Sequence, residues 1–322
     1  MSEHALFTLK QQAAILDPVW GGIYQYSVGH DWTKPHYEKL MPYQAGALEN
    51  YAEAYALTDD AKWLGVARAM RGYIDGFLLS PEGGFYATQD ADLNAHDPAR
   101  PYMTGHEYYA LDAAHRRAAG IPRVDAHEYG RENGLAIGAY VTLFEATGDA
   151  TALASAQRAA RRVLATHATP RGGITHDAGE KPTAILHLAD NAAFGLASMQ
   201  LGEAMATHGG DRAASGEYVA AATKVADFML RELADPEHGG FFASTADPDA
   251  VGVFATRRKP FEDNVTALRL LARLARSSAR DPRYPAAIAG TLRAIATPDA
   301  IKGRGRVLGD FLLALEETRG AR

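Results

Sequence analysis

A unit of helix, Gly/Asp turn, helix and Gly-Gly-apolar stop recurs along this 322-residue chain, and it limits the fold more than any other feature. Glu132-Asn133-Gly134 opens a predicted helix to Thr147, Gly148-Asp149 turns the chain, a second helix runs to His167, and Gly172-Gly173-Ile174 stops it. Asp190-Asn191 opens the next helix, to Thr207, and a longer turn leads to another from about Gly216 to Leu233, closed by Gly239-Gly240-Phe241-Phe242. Asp263-Asn264 opens a helix to Ala279, Asp281-Pro282 begins another, and Leu308 to Glu317 makes a last one. Upstream, helices are predicted over residues 3–15, Tyr43 to Leu57 and Ala61 to Leu79, the last ending at Pro81-Glu82-Gly83-Gly84, with a weaker one over Glu107 to Ala119. Gly and Pro end these segments because neither supports a helix interior.

Repeated helical hairpins build either an open solenoid or a closed toroid. The openings at 132, 190 and 263 are unevenly spaced. That suits a closed ring with variable loops better than an array of fixed period. Small residues crowd the first helix of each unit (Gly134, Ala136, Gly138, Ala139; Ala192, Ala193, Gly195, Ala197, Ser198), which permits close packing about an axis. The expectation is an all-α chain, an (α/α)6 toroid of helical hairpins, with residues 1–322 as one domain.

Composition narrows the function. Lys+Arg 33 against Asp+Glu 39 gives a net charge of -6 without a basic block, which argues against nucleic acid as a partner. Cys is absent, so disulfides, thiolate catalysis and zinc–thiolate sites are excluded. No metal and no cofactor are expected. The N-terminal MSEHALFTLKQQAAIL has neither a basic leader nor a continuous apolar run, and no stretch is long and apolar enough to span a membrane, so a cytoplasmic protein is expected.

Candidate site residues gather before the first hairpin. The run Asp17 to Ala45 carries Trp20, Tyr24, Tyr26, Trp32, His36, Tyr37 and Tyr43 with Asp31, Glu38 and Lys39. A loop this aromatic either plugs the end of a helical domain or holds a ligand; rings interleaved with polar groups suit sugars. His36 and Glu38 offer a base and an acid two residues apart. Asp90 and Asp92 follow the Gly-Gly-Phe-Tyr stop and supply an acid/base pair, ligands for a hard cation, or an Asx turn. Asn133, Asp190 and Asn264 are expected at helix starts, as N-caps that also rim a pocket. Tyr102, Glu107, His176 and Arg258 complete the candidate ligand-binding set, Arg258 as a partner for a carboxylate or phosphate.

The segments WGGIYQYSVGHDWTKPHYEKLMPYQA, GGFYATQDAD, HEYY, ENGLAI, LADNA, GGFF and RRKPFEDN together resemble the helical part of the spermatogenesis-associated, thioredoxin-domain protein family. That part is similar in fold to six-hairpin glycosidases and N-acylglucosamine 2-epimerases. The chain departs from the family in lacking its thioredoxin-like domain, in having Tyr43 where an acid precedes Gln-Ala, and in having Glu132 where a Trp precedes Asn-Gly. The resemblance bears on the fold; the aromatic loop and the acid/base groups lead to the expectation of a carbohydrate-active enzyme, a sugar hydrolase or an epimerase/isomerase, using His36, Glu38, Asp90 and Asp92 on a sugar-like ligand. The alternative is a non-catalytic toroid that binds a sugar-like metabolite or a protein partner.

Overall fold

The computed structural model describes residues 2–29, 32–181, 183–208, 212–277, 281–304 and 308–319; Asp31 and Ala279, named above, lie outside them. The chain divides into two compact units, residues 1–162 and 163–322.

The first unit opens with α1 (Ser2–Gln12), followed by three two-residue strands, β1 (Tyr26–Ser27), β2 (Pro35–His36) and β3 (Lys39–Leu40). Next come α2 (Met41–Thr58), α3 (Ala61–Tyr73), β4 (Thr88–Gln89), α4 (Gly105–Tyr109), α5 (Ala113–Ala119), β5 (Val124–Asp125), α6 (Gly130–Thr147) and α7 (Ala150–Thr166), the last crossing the boundary between the units. Helix α2 packs on both α3 and α6. Its buried Ala45, Ala47, Leu48, Tyr51 and Ala52 recur at helical spacing, and small residues on α6 let the two approach closely. Asp59 ends α2 and Gly148 ends α6, both in the left-handed conformation. β1 pairs with β2, while β3, β4 and β5 form an antiparallel sheet in that order.

The second unit contains α8 (Leu188–Thr207), α9 (Arg212–Phe228), α10 (Phe261–Ser277), α11 (Arg283–Ile295), α12 (Pro298–Lys302) and α13 (Gly309–Arg319). Helix α8 is buried on almost every side, between α9 and α10, and accordingly carries few charges. Helix α10 is amphipathic: Leu268, Leu271 and Leu274 face the core, while Arg269 and Arg273 both bind Glu317 of α13 at 2.9 Å.

One turn is built four times. At Gly21-Gly22-Ile23, Gly83-Gly84-Phe85, Gly172-Gly173-Ile174 and Gly239-Gly240-Phe241, the apolar residue bridges back to the end of the preceding helical segment. A polar residue starts each turn, accepting at its carbonyl from the first Gly and donating its amide to the second Gly's carbonyl: Asp17, Ser80, Thr169 and Asp235. Gly21 and Gly239 have φ +75° and +73°, and a Cβ there would sit 2.2 Å from the Ala69 carbonyl oxygen and 2.4 Å from that of Gly290. Only glycine fits. The apolar residue is then gripped by an amide side chain at the fourth position of a helix further along the chain (α2, α6, α8 or α10). Gln44 holds Ile23, Asn133 holds Phe85, Asn191 holds Ile174 and Asn264 holds Phe241, each side chain accepting from the backbone N–H and donating to the C=O. A carboxamide presents one acceptor and one donor side by side, as a neighbouring strand does, so it substitutes for a strand in a buried place.

Candidate functional site

In the first unit, extended backbone from Pro35 to Leu40 sorts its side chains by alternation. Lys39 points inward and is fully buried, and Tyr37 lies over the ring of Tyr109 at 5.3 Å. His36 and Glu38 point the other way, half-exposed, with Nε2 and Oε2 3.5 Å apart. The His36 ring stacks on Tyr26 at 5.0 Å, across the β1–β2 pair. The sheet register pairs Lys39 with Gln89, both fully buried. Continued by one residue, it sets Glu38 opposite Asp90 on the outward face. Asp90 Oδ2 lies 3.2 Å from His96 Nε2, yet no hydrogen bond reaches this buried oxygen. Asp92 is differently employed, accepting from the Gly105 amide at 2.6 Å and the Tyr102 hydroxyl at 2.9 Å. Asp90 and Asp92 therefore have separate partners, and Asp92 ties down the start of α4.

Beneath this face lies a charge cluster. Asp17, Lys39 and Arg116 are all buried, and Asp17 Oδ2 accepts from Lys39 Nζ at 2.8 Å and Arg116 Nη1 at 2.7 Å. Lys39 also donates to the Gly21 carbonyl, and Arg116 to the carbonyls of Tyr109 and Leu111. Rings of Tyr24, Tyr73 and Tyr109 surround the ammonium; Trp20, Tyr108 and Tyr109 surround the guanidinium. Two cations share one carboxylate in a dry place. Burial pulls the Lys39 ammonium down to about 8 against the opposing pull of Asp17, and the two cations hold the Asp17 carboxyl below its ordinary range despite its burial. Trp20 and Tyr24, expected as pocket walls, thus face the interior and enclose buried cations. Tyr26, Trp32 and Tyr102 are exposed.

Three further expectations change. Asn133 and Asn264 are fully buried and grip backbone, so they are neither N-caps nor rim groups. Tyr129 and His187 stand at the N-cap positions of α6 and α8 instead, with no side-chain cap. Glu107 completes a capping box with Thr104 at the start of α4, the physical reason it sits there.

In the second unit, Asp190 is buried on the first turn of α8, and His176 Nδ1 lies 3.1 Å from each of its carboxylate oxygens. The His176 side chain is 42% exposed. Because carboxylate oxygens only accept, the geometry makes Nδ1 the donor and leaves the basic lone pair of the neutral ring on Nε2. The exposed His187, just before α8, meets the His176 ring edge-on at 5.8 Å. His187 in turn bridges to Ser244, with Leu188 donating to Ala243 and Thr245 to Leu186. This short pairing joins the histidines to a pocket of about 490 Å³ formed by residues 243–258. Arg258 lines that pocket; its carbonyl accepts from Ala243, while its guanidinium is exposed and makes no hydrogen bond or ion pair among the described residues. The sequence marked His176, Asp190 and Arg258 individually; it gave no sign that the first two form a pair. In the sequence Lys39 stands only as one polar group of the aromatic run, and neither Asp17, Arg116 nor Gln44 carries a signal of its role there; a cation amid so many rings is the available one for Lys39.

No family model matches the chain. Over 99 residues, 30% of this chain, it is 36% identical to spermatogenesis-associated protein 20 of Homo sapiens. The chain is homologous to that protein. The matched stretch covers 13% of the human protein's length. Among solved structures, a cellobiose 2-epimerase from Bacillus thermoamylovorans superposes with a TM-score of 0.68 at 12% identity, covering 99% of this chain and 85% of that one. A family 76 glycoside hydrolase from a bovine strain of Bacteroides thetaiotaomicron gives 0.60 at 12% identity, covering 91% of this chain and 55% of that one. These likenesses show the fold: all-α, the (α/α)6 toroid of the six-hairpin glycosidases and epimerases. Among the described residues, no helix is long and apolar enough to cross a membrane, and no group of three or more His, Asp or Glu is placed to hold a metal ion.

Proposed function

We propose that the protein is a carbohydrate-active enzyme, and that it epimerises or isomerises a reducing sugar by proton transfer at His176. The observation that carries this is the pairing of a half-exposed imidazole with a fully buried carboxylate, His176 with Asp190. Asp190 fixes the ring orientation and tautomer and stabilises the imidazolium formed when Nε2 takes a proton. A sugar in its open form has an acidic C–H beside the carbonyl, and a base there yields an enediolate; returning the proton to that carbon from the opposite face gives the epimer, and to the former carbonyl carbon the isomer. His187, edge-on to the same ring, is the second group in this reading, as donor to the carbonyl oxygen. The fold supports the choice of substrate class, since both epimerases and hydrolases of sugars are built on it.

A second reading, glycoside hydrolysis, is favoured by one observation in the first unit: Asp90 Oδ2 is buried without a hydrogen bond, and the register sets Glu38 across from it. Two such carboxylates flank a glycosidic bond in hydrolases.

Deuterium incorporation separates the two. In heavy water, wild type acting on a panel of reducing mono- and disaccharides is expected to place deuterium beside the carbonyl carbon. His176→Gln and Asp190→Asn are expected to lower that rate by about 10²-fold or more, with sugar binding kept. No exchange with any sugar, together with release of reducing ends from glycosides that Asp90→Asn and Glu38→Gln abolish, would transfer the assignment to hydrolysis. Binding by calorimetry without either reaction would leave a sugar-binding protein.

A further inference from the structure

We propose that the pocket of residues 243–258 is a subsite for an anionic substituent, carboxylate or phosphate, on a sugar-like ligand. This builds on the proton-transfer site proposed at His176, to which the pocket is joined through the His187–Ser244 bridge. At about 490 Å³ it has the capacity of an ordinary small-molecule site.

Two arginines line the pocket against one carboxylate, Asp247. Arg257 and Arg258 both line it, and among the described residues neither has a carboxylate partner within ion-pairing distance. Most arginines that the chain keeps partly covered are matched: Arg71 with Asp75 and Asp149, Arg162 with Glu128, Arg269 and Arg273 with Glu317. Arg257 is held rigidly instead. Its guanidinium lies 3.9 Å from the centre of the Phe242 ring, and it donates to the carbonyls of Ser244 at 2.7 Å and Glu232 at 3.3 Å. Those acceptors are neutral, and Asp235, which holds Lys259 and favours the charged guanidinium, forms no ion pair with it, so its positive charge persists at the pocket wall. Arg258 beside it has its whole fork of donors available, the geometry that takes a carboxylate or phosphate through two parallel hydrogen bonds.

The remaining lining suits the body of a sugar. Phe254 is 80% exposed and forms a wall with Val253, a large ring kept in water at a cost that covering a sugar's apolar face would offset. Ser244 and Asp247 provide hydroxyl and carboxylate partners for sugar hydroxyls. Phe254 lies on a single 3-10 turn, Gly252–Ala255, with none of its residues buried.

The test is calorimetric titration of the full chain with glucose, glucuronate and glucose 6-phosphate, at low and high salt. At least one charged sugar is expected to bind about tenfold or more tighter than glucose, an advantage that shrinks with salt. Arg258→Gln is expected to erase that advantage while leaving glucose affinity alone; Phe254→Ala weakens all three alike. Preference for glucuronate assigns a carboxylate, and preference for the phosphate ester assigns a phosphate. Equal affinity for all three sugars, or an advantage that survives in Arg258→Gln, overturns the proposal. His176→Gln keeps the preference if the subsite is as described, whether or not deuterium exchange is ever seen, so the two readings fail separately.

Discussion

Replacing Asn133 tests the amide clamp in the unit where the protein reports on itself, since Trp20, Trp32 and Trp63 all lie within residues 1–162. Asn133 Oδ1 accepts from the Phe85 amide at 2.8 Å, and Nδ2 donates to the carbonyls of Phe85 at 3.0 Å and Tyr129 at 2.9 Å. Both Asn133 and Phe85 are fully buried, so water cannot take over. In Asn133→Ala the Tyr129 carbonyl keeps the backbone amide of residue 133 as donor, but the N–H and C=O of Phe85 lose their side-chain partner. Two orphaned buried groups at roughly 1–3 kcal/mol each give a loss of about 2–6 kcal/mol. Asn133→Asp is more informative. Its second oxygen would face the two carbonyls, so the ionised form is disfavoured when folded and the carboxyl's folded pKa is raised above its unfolded value of about 3.9. A group raised in this way contributes its stability below the unfolded pKa and loses it as pH rises toward the folded one. The Asp variant should therefore be at least as stable as the Ala variant at about pH 4, where the neutral carboxyl still accepts once and donates once, and lose roughly 1.4 kcal/mol per pH unit above that, until the folded pKa is passed. Urea unfolding followed by tryptophan fluorescence measures both. A loss under about 1 kcal/mol for Ala, or an Asp–Ala difference that stays constant with pH, would refute the clamp as the element holding this turn.

Lys39 should give the chain a second pH signature. Its folded pKa of about 8 lies below the ordinary lysine value, so the folded state sheds the proton first and wild type gains stability over Lys39→Met as pH rises through the window above 8; urea midpoints that move in parallel for both chains would contradict this. Glu107→Ala is expected to lower stability through loss of the capping box and Glu107→Gln much less, with no change in sugar affinity for either; a selective loss of affinity would restore Glu107 to the ligand site. Exhaustive chelation is expected to leave Tm unchanged, as no metal-holding group exists among the described residues; a large drop in a thermal scan would show otherwise.

Helices were legible because periodicity and punctuation are local. Expected segments such as Tyr43 to Leu57 and Asp190 to Thr207 match α2 and α8 to within two residues at each end, and Gly148 stops α6 where a left-handed residue was needed. The repeat was visible too, but its mechanism was not. Asn133, Asn191 and Asn264 resemble N-caps in sequence, while their partners lie 48, 17 and 23 residues away in Phe85, Ile174 and Phe241. Gln44, with Ile23 as its partner, went unnoticed because its side chain is one carbon longer and the acid–Asn pattern is missing there. The sheet of β3, β4 and β5 has strands of two residues, too short to leave a period. Asp17 reaches Arg116 across 99 positions, and a buried ion pair has no composition of its own. The candidate site followed the same division. Residue types marked His36, Glu38, Asp90, His176, Asp190 and Arg258 as groups capable of chemistry. Only the folded chain shows that Asp92 is occupied by the Gly105 amide, that Asp190 is buried beneath His176, and that Arg258 stands without a counter-charge beside Phe254, because a side chain's partners are chosen by packing between segments that sequence order keeps apart.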